Sequence, residues 1–292
     1  NSGIKRVLIV PDNELRAIPF EAMLVKDPLS NSNNRPYFLI NDYSIGYTYS
    51  IRTGLLSKIR NSSPLVSQQK SFGCFIASYT NADGYITCMP FNKENLENLG
   101  TAAENIAQIF DHTPFQDATK QEFIEHAPTY VIVHLSGHGD ASDSVQSNPL
   151  DYSLIFSPDS NTEDGNCRLT LAEINRLKLN AELLVTGNCS TQQGKNQRGE
   201  GVPSLARSLL VAGSESILAT LNTIVEKPND RILLLFYQNL RNGTPKDVAL
   251  ARAKREIINE SFSGQDRQYQ RPFYWAKTIL IGNQDPISFS LN

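Results

Sequence analysis

Short apolar runs separated by polar turns open the chain. Val7-Leu8-Ile9-Val10 is followed by Pro11-Asp12-Asn13 and then by Ile18-Pro19-Phe20-Glu21. Tyr37-Phe38-Leu39-Ile40 and an alternating stretch from Tyr43 to Tyr49 come next. β-branched and aromatic residues bounded by Pro, Asn and Asp predict short strands joined by turns. Residues 59–70 are polar and Ser-rich and predict a linker. The pattern therefore divides the chain into a β-rich N-terminal part, residues 1–65, and a core, residues 71–292.

Beyond the linker, strands alternate with helices. Ser71 to Ser78 reads as a strand, and residues 92–112 carry Leu96, Leu99, Ala103, Ile106 and Ile109 at helical spacing. Thr119-Lys120-Gln121-Glu122 and Thr170-Leu171-Ala172-Glu173 are capping boxes, in which a hydroxyl and a carboxylate satisfy orphan N–H groups at a helix start. Tyr130 to Leu135, Glu182 to Thr186, Glu215 to Leu221 and Thr278 to Ile281 read as buried strands. Helices are predicted over 203–212, ending near Gly213, over Pro228 to Leu240, and from Thr244-Pro245 onward. Apolar strands alternating with helices imply an α/β fold with a mostly parallel sheet covered on both faces.

Composition narrows the function classes. The 292 residues carry 27 Lys and Arg against 30 Asp and Glu, a net charge of -3, so no basic field points to nucleic acid or an anionic membrane. No apolar run is long enough to span a bilayer. The chain begins Asn1-Ser2-Gly3 without a Met and reads as a fragment of a longer polypeptide. Cys74, Cys88, Cys167 and Cys189 lack CxxC spacing, which argues against zinc, and are too sparse for a disulfide scaffold. Free thiols in a reducing cytoplasm are the simpler expectation.

Two predicted strands end in unusual polar segments, Leu135-Ser136-Gly137-His138-Gly139-Asp140 and Thr186-Gly187-Asn188-Cys189-Ser190-Thr191. Sites in open α/β sheets form beyond the carboxyl ends of strands, and flanking glycines let a substrate approach the backbone. Cys189 as thiolate nucleophile, His138 as base and the N–H groups of Gly139 and Cys189 as oxyanion donors would make an acyl-transfer site. Each residue also has an ordinary explanation, since a Cys at a strand end is commonly a small hydrophobe and a His a satisfied polar group. His134 and His138 could form a metal pair, but the intervening Ser-Gly argues against a helix that would align them, and His134 reads as structural.

With these motifs in view, the sequence resembles the CHAT family of caspase-like proteases and, more distantly, separase and the caspases. VLIVPDNELRAIPFEAML resembles the family's opening segment, HLSGHGD its histidine motif and GNCSTQQG its cysteine motif. Gly199-Glu200-Gly201, LARSLLVAG, SILATL, FYQNLRNG and FYWAKTILIG follow in family order. Gly187-Asn188 stands where Ser-Ala is common, and Asn222 follows Leu221 where the family often has Leu-Trp. These departures bear on the substrate wall, not on the dyad.

The resemblance implies a caspase-like three-layer α/β/α sandwich, no metal or organic cofactor, and peptide cleavage through a thioester by Cys189 and His138. It implies that Thr220, Leu221, Asn222 and Thr223 border the cleft and pair with an extended peptide. By analogy with an Asp in separase, Glu226 would hold a basic residue on the amino side of the scissile bond. Set against that, Glu226-Lys227-Pro228-Asn229-Asp230 reads as an exposed turn before a helix, where a solvated Glu is ordinary. The family association also implies a protein substrate, such as a gasdermin or another effector in bacterial antiviral defence, and upstream TPR repeats. Two alternatives stay open: an inactive caspase-like scaffolding module, and a different Cys–His enzyme such as an amidase or acyltransferase. The polar, Gly-rich segment Thr191 to Gly201 is expected to be either an ordinary surface loop or one that orders with substrate.

Overall fold

The structure is a computed structural model. It describes residues 3, 5–26, 35–52, 69–77, 99–137, 139–140, 152–159, 166–186, 205–221, 224–263, 267–287 and 289. The N-terminal part supplies β1 (Arg6–Ile9), β2 (Leu24–Lys26), β3 (Tyr37–Phe38) and β4 (Ser44–Tyr47). The remainder supplies β5 (Lys70–Ile76), α1 (Leu99–Ile109), α2 (Lys120–His126), β6 (Tyr130–Ser136), β7 (Gly139–Asp140), β8 (Ser153–Ile155), β9 (Arg168–Thr170) and α3 (Leu171–Ile174). It continues with β10 (Leu183–Thr186), α4 (Leu205–Val211), β11 (Ser216–Thr220), α5 (Glu226–Arg241), α6 (Lys246–Ser263) and β12 (Thr278–Gly282).

One sheet organises these elements in the order β1-β4-β12-β11-β10-β6-β5. Every neighbouring pair is parallel except β11 with β12. β5, β6, β10 and β11 thus share one direction, and β1, β4 and β12 the other. Side chains alternate between two cores, as the period of a strand requires. Phe72, Cys74, Leu183, Val185 and Leu280 face one core together with α1, α5, α6 and Trp275. Phe75, Leu184, Ile217 and Ile281 face the other, with α2, α3 and α4. The fold is the three-layer α/β arrangement that the pattern predicts.

The capping boxes are present as expected. Thr119 Oγ1 accepts from the Glu122 N–H at 3.2 Å while Glu122 Oε2 accepts from the Thr119 N–H at 2.8 Å, starting α2. Thr170 and Glu173 do the same for α3. α4 stops at Gly213, whose φ of +118° is open to glycine and whose missing Cβ would lie 2.0 Å from the Leu179 carbonyl.

Four local expectations change. Ile18-Pro19-Phe20-Glu21 is not a strand but leads into the 3-10 turn Phe20–Ala22, whose Met23 N–H closes on the Phe20 carbonyl. Leu39–Asn41 is a 3-10 turn and not a strand, because Asn41 Oδ1 caps the Phe38 N–H at 2.8 Å. α5 begins at Glu226, not at Pro228, and proline fits in its first turn, where the N–H has no intrahelical acceptor. A three-stranded antiparallel sheet, β7-β8-β9, was not anticipated; its strands are too short for a periodic signal. The proposed linker lies almost wholly outside the described residues.

The N-terminal part is held to α6 by charge as well as by the sheet. Arg6 makes a two-pronged pair with Asp247 at 2.7 and 2.8 Å. Lys254 donates to Glu21 at 2.5 Å, and the Tyr47 hydroxyl donates to the other oxygen of the same carboxylate. Arg255 donates to the carbonyls of Ile40 and Tyr43.

Candidate active site

The strand register brings several chain ends to one edge of the sheet. β10 lies beside β6 with Thr186 opposite Leu135, and beside β11 with Val185 opposite Leu218. β6 and β10 therefore end side by side. Since β12 runs antiparallel to β11, its first residue, Thr278, sits opposite Thr220 at the same edge. The ladder continues one residue further, where the Leu221 N–H donates to the Lys277 carbonyl at 2.9 Å.

The expected site residues divide as follows. His138 and Cys189 lie outside the described residues, as do Asn222, Thr223 and the segment 191–201. Gly139 opens β7, opposite Leu154 of β8. Thr220 and Leu221 are buried at the end of β11, and on the β12 side their main chain is already paired. Glu226 is the first residue of α5 and is half-buried, not part of an exposed turn.

Sequence reasoning missed Asp230. It lies four residues after Glu226, so the two carboxylates share one helix face. Burial, and after it the charge of Glu226, push the Asp230 carboxyl up to about 7. Among the described residues Asp230 has no cationic partner. The i,i+4 spacing was visible in the sequence, but only a helix starting at Glu226 gives it meaning. Across the edge, the Lys277 ammonium lies 3.6 Å from the Phe273 ring centroid, and burial lowers its pKa.

Other candidate groups are placed away from this chemistry. His134 is buried in β6, and its Nδ1 is 2.9 Å from the Tyr237 hydroxyl on α5. Burial pushes its pKa down to about 4, so the ring is neutral. Cys74 is a free, buried thiol whose pKa is raised first by burial and then by the Glu104 carboxylate, the opposite of what a nucleophile needs. Cys167 is disulfide-bonded, which corrects the expectation of free thiols at that position. Sequence spacing cannot foresee such a bond, which depends on two Cβ atoms meeting in space. Among the described residues no cluster of His, Cys, Asp or Glu is arranged to hold a metal. None of their helices is long and apolar enough to cross a membrane. A surface hollow of about 560 Å³ between Asn239, Arg252 and Glu256 lies toward the other end of α5.

Comparison with known proteins agrees with this architecture. The family model described as CHAT domain matches residues 1–283. Tetratricopeptide repeat protein 28 of Homo sapiens is 29% identical over 115 residues, 39% of this chain. The Mus musculus protein of the same name is 26% identical over the same length. The match spans only 4% of the length of either relative. Among solved structures, the Arg-specific cysteine proteinase gingipain R superposes with a TM-score of 0.54 at 12% identity, covering 84% of this chain and 55% of that one. The complex of Porphyromonas gingivalis RgpB pro- and mature domains gives 0.57 at 12% identity over 98% of this chain and 66% of that chain. The Saccharomyces cerevisiae separase–securin complex gives 0.54 at 15% identity, covering 92% of this chain and 14% of that chain. At such identities the structural likeness is one of fold.

Proposed function

Because this chain belongs to the CHAT domain family, we propose that it is a caspase-like cysteine endopeptidase that cuts a protein partner, with Cys189 as nucleophile and His138 as acid and base. The observation that carries this reading is the register of β6 against β10. Thr186 lies opposite Leu135, so the chain enters the His138 segment and the Cys189 segment from adjacent strand ends. That is where a parallel α/β sheet assembles a site.

The chemistry follows from the residue types. The Cys189 sulfur, its proton passed to His138, attacks the scissile carbonyl carbon, and the backbone N–H groups of Gly139 and Cys189 donate to the resulting oxyanion. Collapse breaks the C–N bond as His138 protonates the leaving amine, which leaves a thioester on Cys189. His138 then takes a proton from water, the hydroxide attacks the thioester, and the carboxylic acid and the thiol are released.

The cleft wall bears on specificity. A substrate strand would lie beside Thr220 to Thr223, at the end of β11, on the side where β10 stops at Thr186. Glu226, joined by Asp230, would meet an Arg or Lys on the amino side of the scissile bond, since a carboxylate in a partly desolvated place binds a guanidinium fork well. The likeness of fold to the Arg-specific cysteine proteinase gingipain R is in keeping with this reading. The TPR-named relatives support an upstream repeat region as partner or sensor.

Peptide cleavage and labelling by an electrophilic peptide test the mechanism. Wild-type protein should be labelled at Cys189 and should turn over peptides, and Cys189→Ala and His138→Ala should lose turnover almost completely. Wild-type turnover by Cys189→Ala would refute the mechanism. A folded wild-type protein that neither labels nor cleaves would identify a scaffolding module instead.

A further inference from the structure

α5 packs into the core on one face of the sheet through Ile232, Leu233, Leu235 and Phe236, an apolar contact whose attraction is not itself directional. Two buried polar bonds cross this contact. Near the start of α5, Thr278 Oγ1 donates to Asn229 Oδ1 at 2.7 Å, with both residues buried. Eight residues on, about 12 Å along a helix, the Tyr237 hydroxyl meets His134 Nδ1 at 2.9 Å.

The first bond is well placed to matter for recognition. Thr278 is the residue opposite Thr220, at the end of the strand along which substrate would lie. Asn229 stands directly before Asp230 and three residues after Glu226. The chain of contacts from the cleft strand to the acidic turn is therefore Thr220, Thr278, Asn229 and then the carboxylates. A hydrogen bond is directional, and an unmade buried one is costly, so each bond admits one helix position where apolar packing alone admits several.

We propose that Thr278–Asn229 and His134–Tyr237 are two pins that set the axial position and rotation of α5, and with them the placement of Glu226 and Asp230 against the cleft. These four side chains are positioning residues for substrate choice. They act through the carboxylates and do not themselves touch substrate. The inference rests on the reading of the acidic turn as the wall that meets a basic side chain.

Thr278→Val and Tyr237→Phe each remove one hydroxyl at nearly constant volume, and Thr278→Ser keeps the hydroxyl. The readout is kcat/KM for a peptide pair differing only in Arg or Leu before the scissile bond. Thr278→Val should lower the Arg-over-Leu ratio about ten-fold, the size of one lost hydrogen bond, mainly through KM for the Arg peptide. Tyr237→Phe should lower the ratio less, and Thr278→Ser should return it to near the wild-type value. An equal fall for both peptides, or an unchanged ratio, would overturn the proposal and mark the bonds as merely stabilising. A wild-type protein that cleaves both peptides equally would overturn the acidic-wall reading itself, and this inference with it.

Discussion

Replacing Lys254 with Met isolates the buried link between the N-terminal part and α6. Lys254 and Glu21 are 1% and 3% exposed at their side chains and 2.5 Å apart. The Tyr47 hydroxyl bonds the same carboxylate and receives the Phe20 N–H at 2.9 Å. In Lys254→Met the buried Glu21 carboxylate keeps the tyrosine but loses its cation. Breaking one side of a buried pair costs about 3–5 kcal/mol, a large share of the 5–15 kcal/mol that a typical domain has in hand. Tyr47 should keep the loss near the lower end of that range. Removing the charge as well, in Glu21→Gln with Lys254→Met, should recover most of the loss, because the costly state is the uncompensated ion and not the missing bond. Urea unfolding of wild type and the two variants measures this directly. A Lys254→Met protein within about 1 kcal/mol of wild type, or a double variant less stable than the single one, would refute the reasoning. The first result would mean that water reaches the pair; the second would mean that the bond from Tyr47 to the Glu21 carboxylate outweighs the cost of its uncompensated charge.

Three further outcomes follow from the structure. Asp230 holds its proton up to about pH 7 in the folded protein, above the usual carboxylate range, so the folded state binds this proton more tightly than the unfolded chain does. Stability should therefore fall as pH rises from about 4 to about 7. Asp230→Asn should melt higher than wild type at pH 8 and equally at pH 4, by an amount reduced by the group's partial exposure; no difference at pH 8 would contradict the assigned burial. Glu226→Gln should weaken any Arg preference in a peptide library without exchanging it for an acidic one, and a library preference for Leu or Met would reject the acidic wall. Gly213→Ala should cost about 2 kcal/mol or more in chemical denaturation, since the φ of +118° and the 2.0 Å approach to the Leu179 carbonyl both oppose a Cβ, and a neutral result would mean that the α4 end can move.

Much of this was legible in the residues. The runs at Tyr130 to Leu135 and Leu183 to Thr186 identify themselves as strands buried on both faces. The boxes at Thr119 and Thr170 announce helix starts, because each satisfies its own backbone within four residues. The Gly-flanked His138 and Cys189 segments stood out for the same reason: their signal is local. Sequence could not say that β12 would lie antiparallel beside β11 and so bring Thr278 to Thr220, 58 positions earlier in the chain. Nor could it say that Glu226 would join the helix and turn Asp230 onto the same face, or that Lys254 would meet Glu21 across 233 residues. Pattern and capping depend on neighbours a few residues apart, which the sequence states outright. Register, strand direction and buried ion pairs depend on which distant surfaces bury together, and only the folded chain decides that.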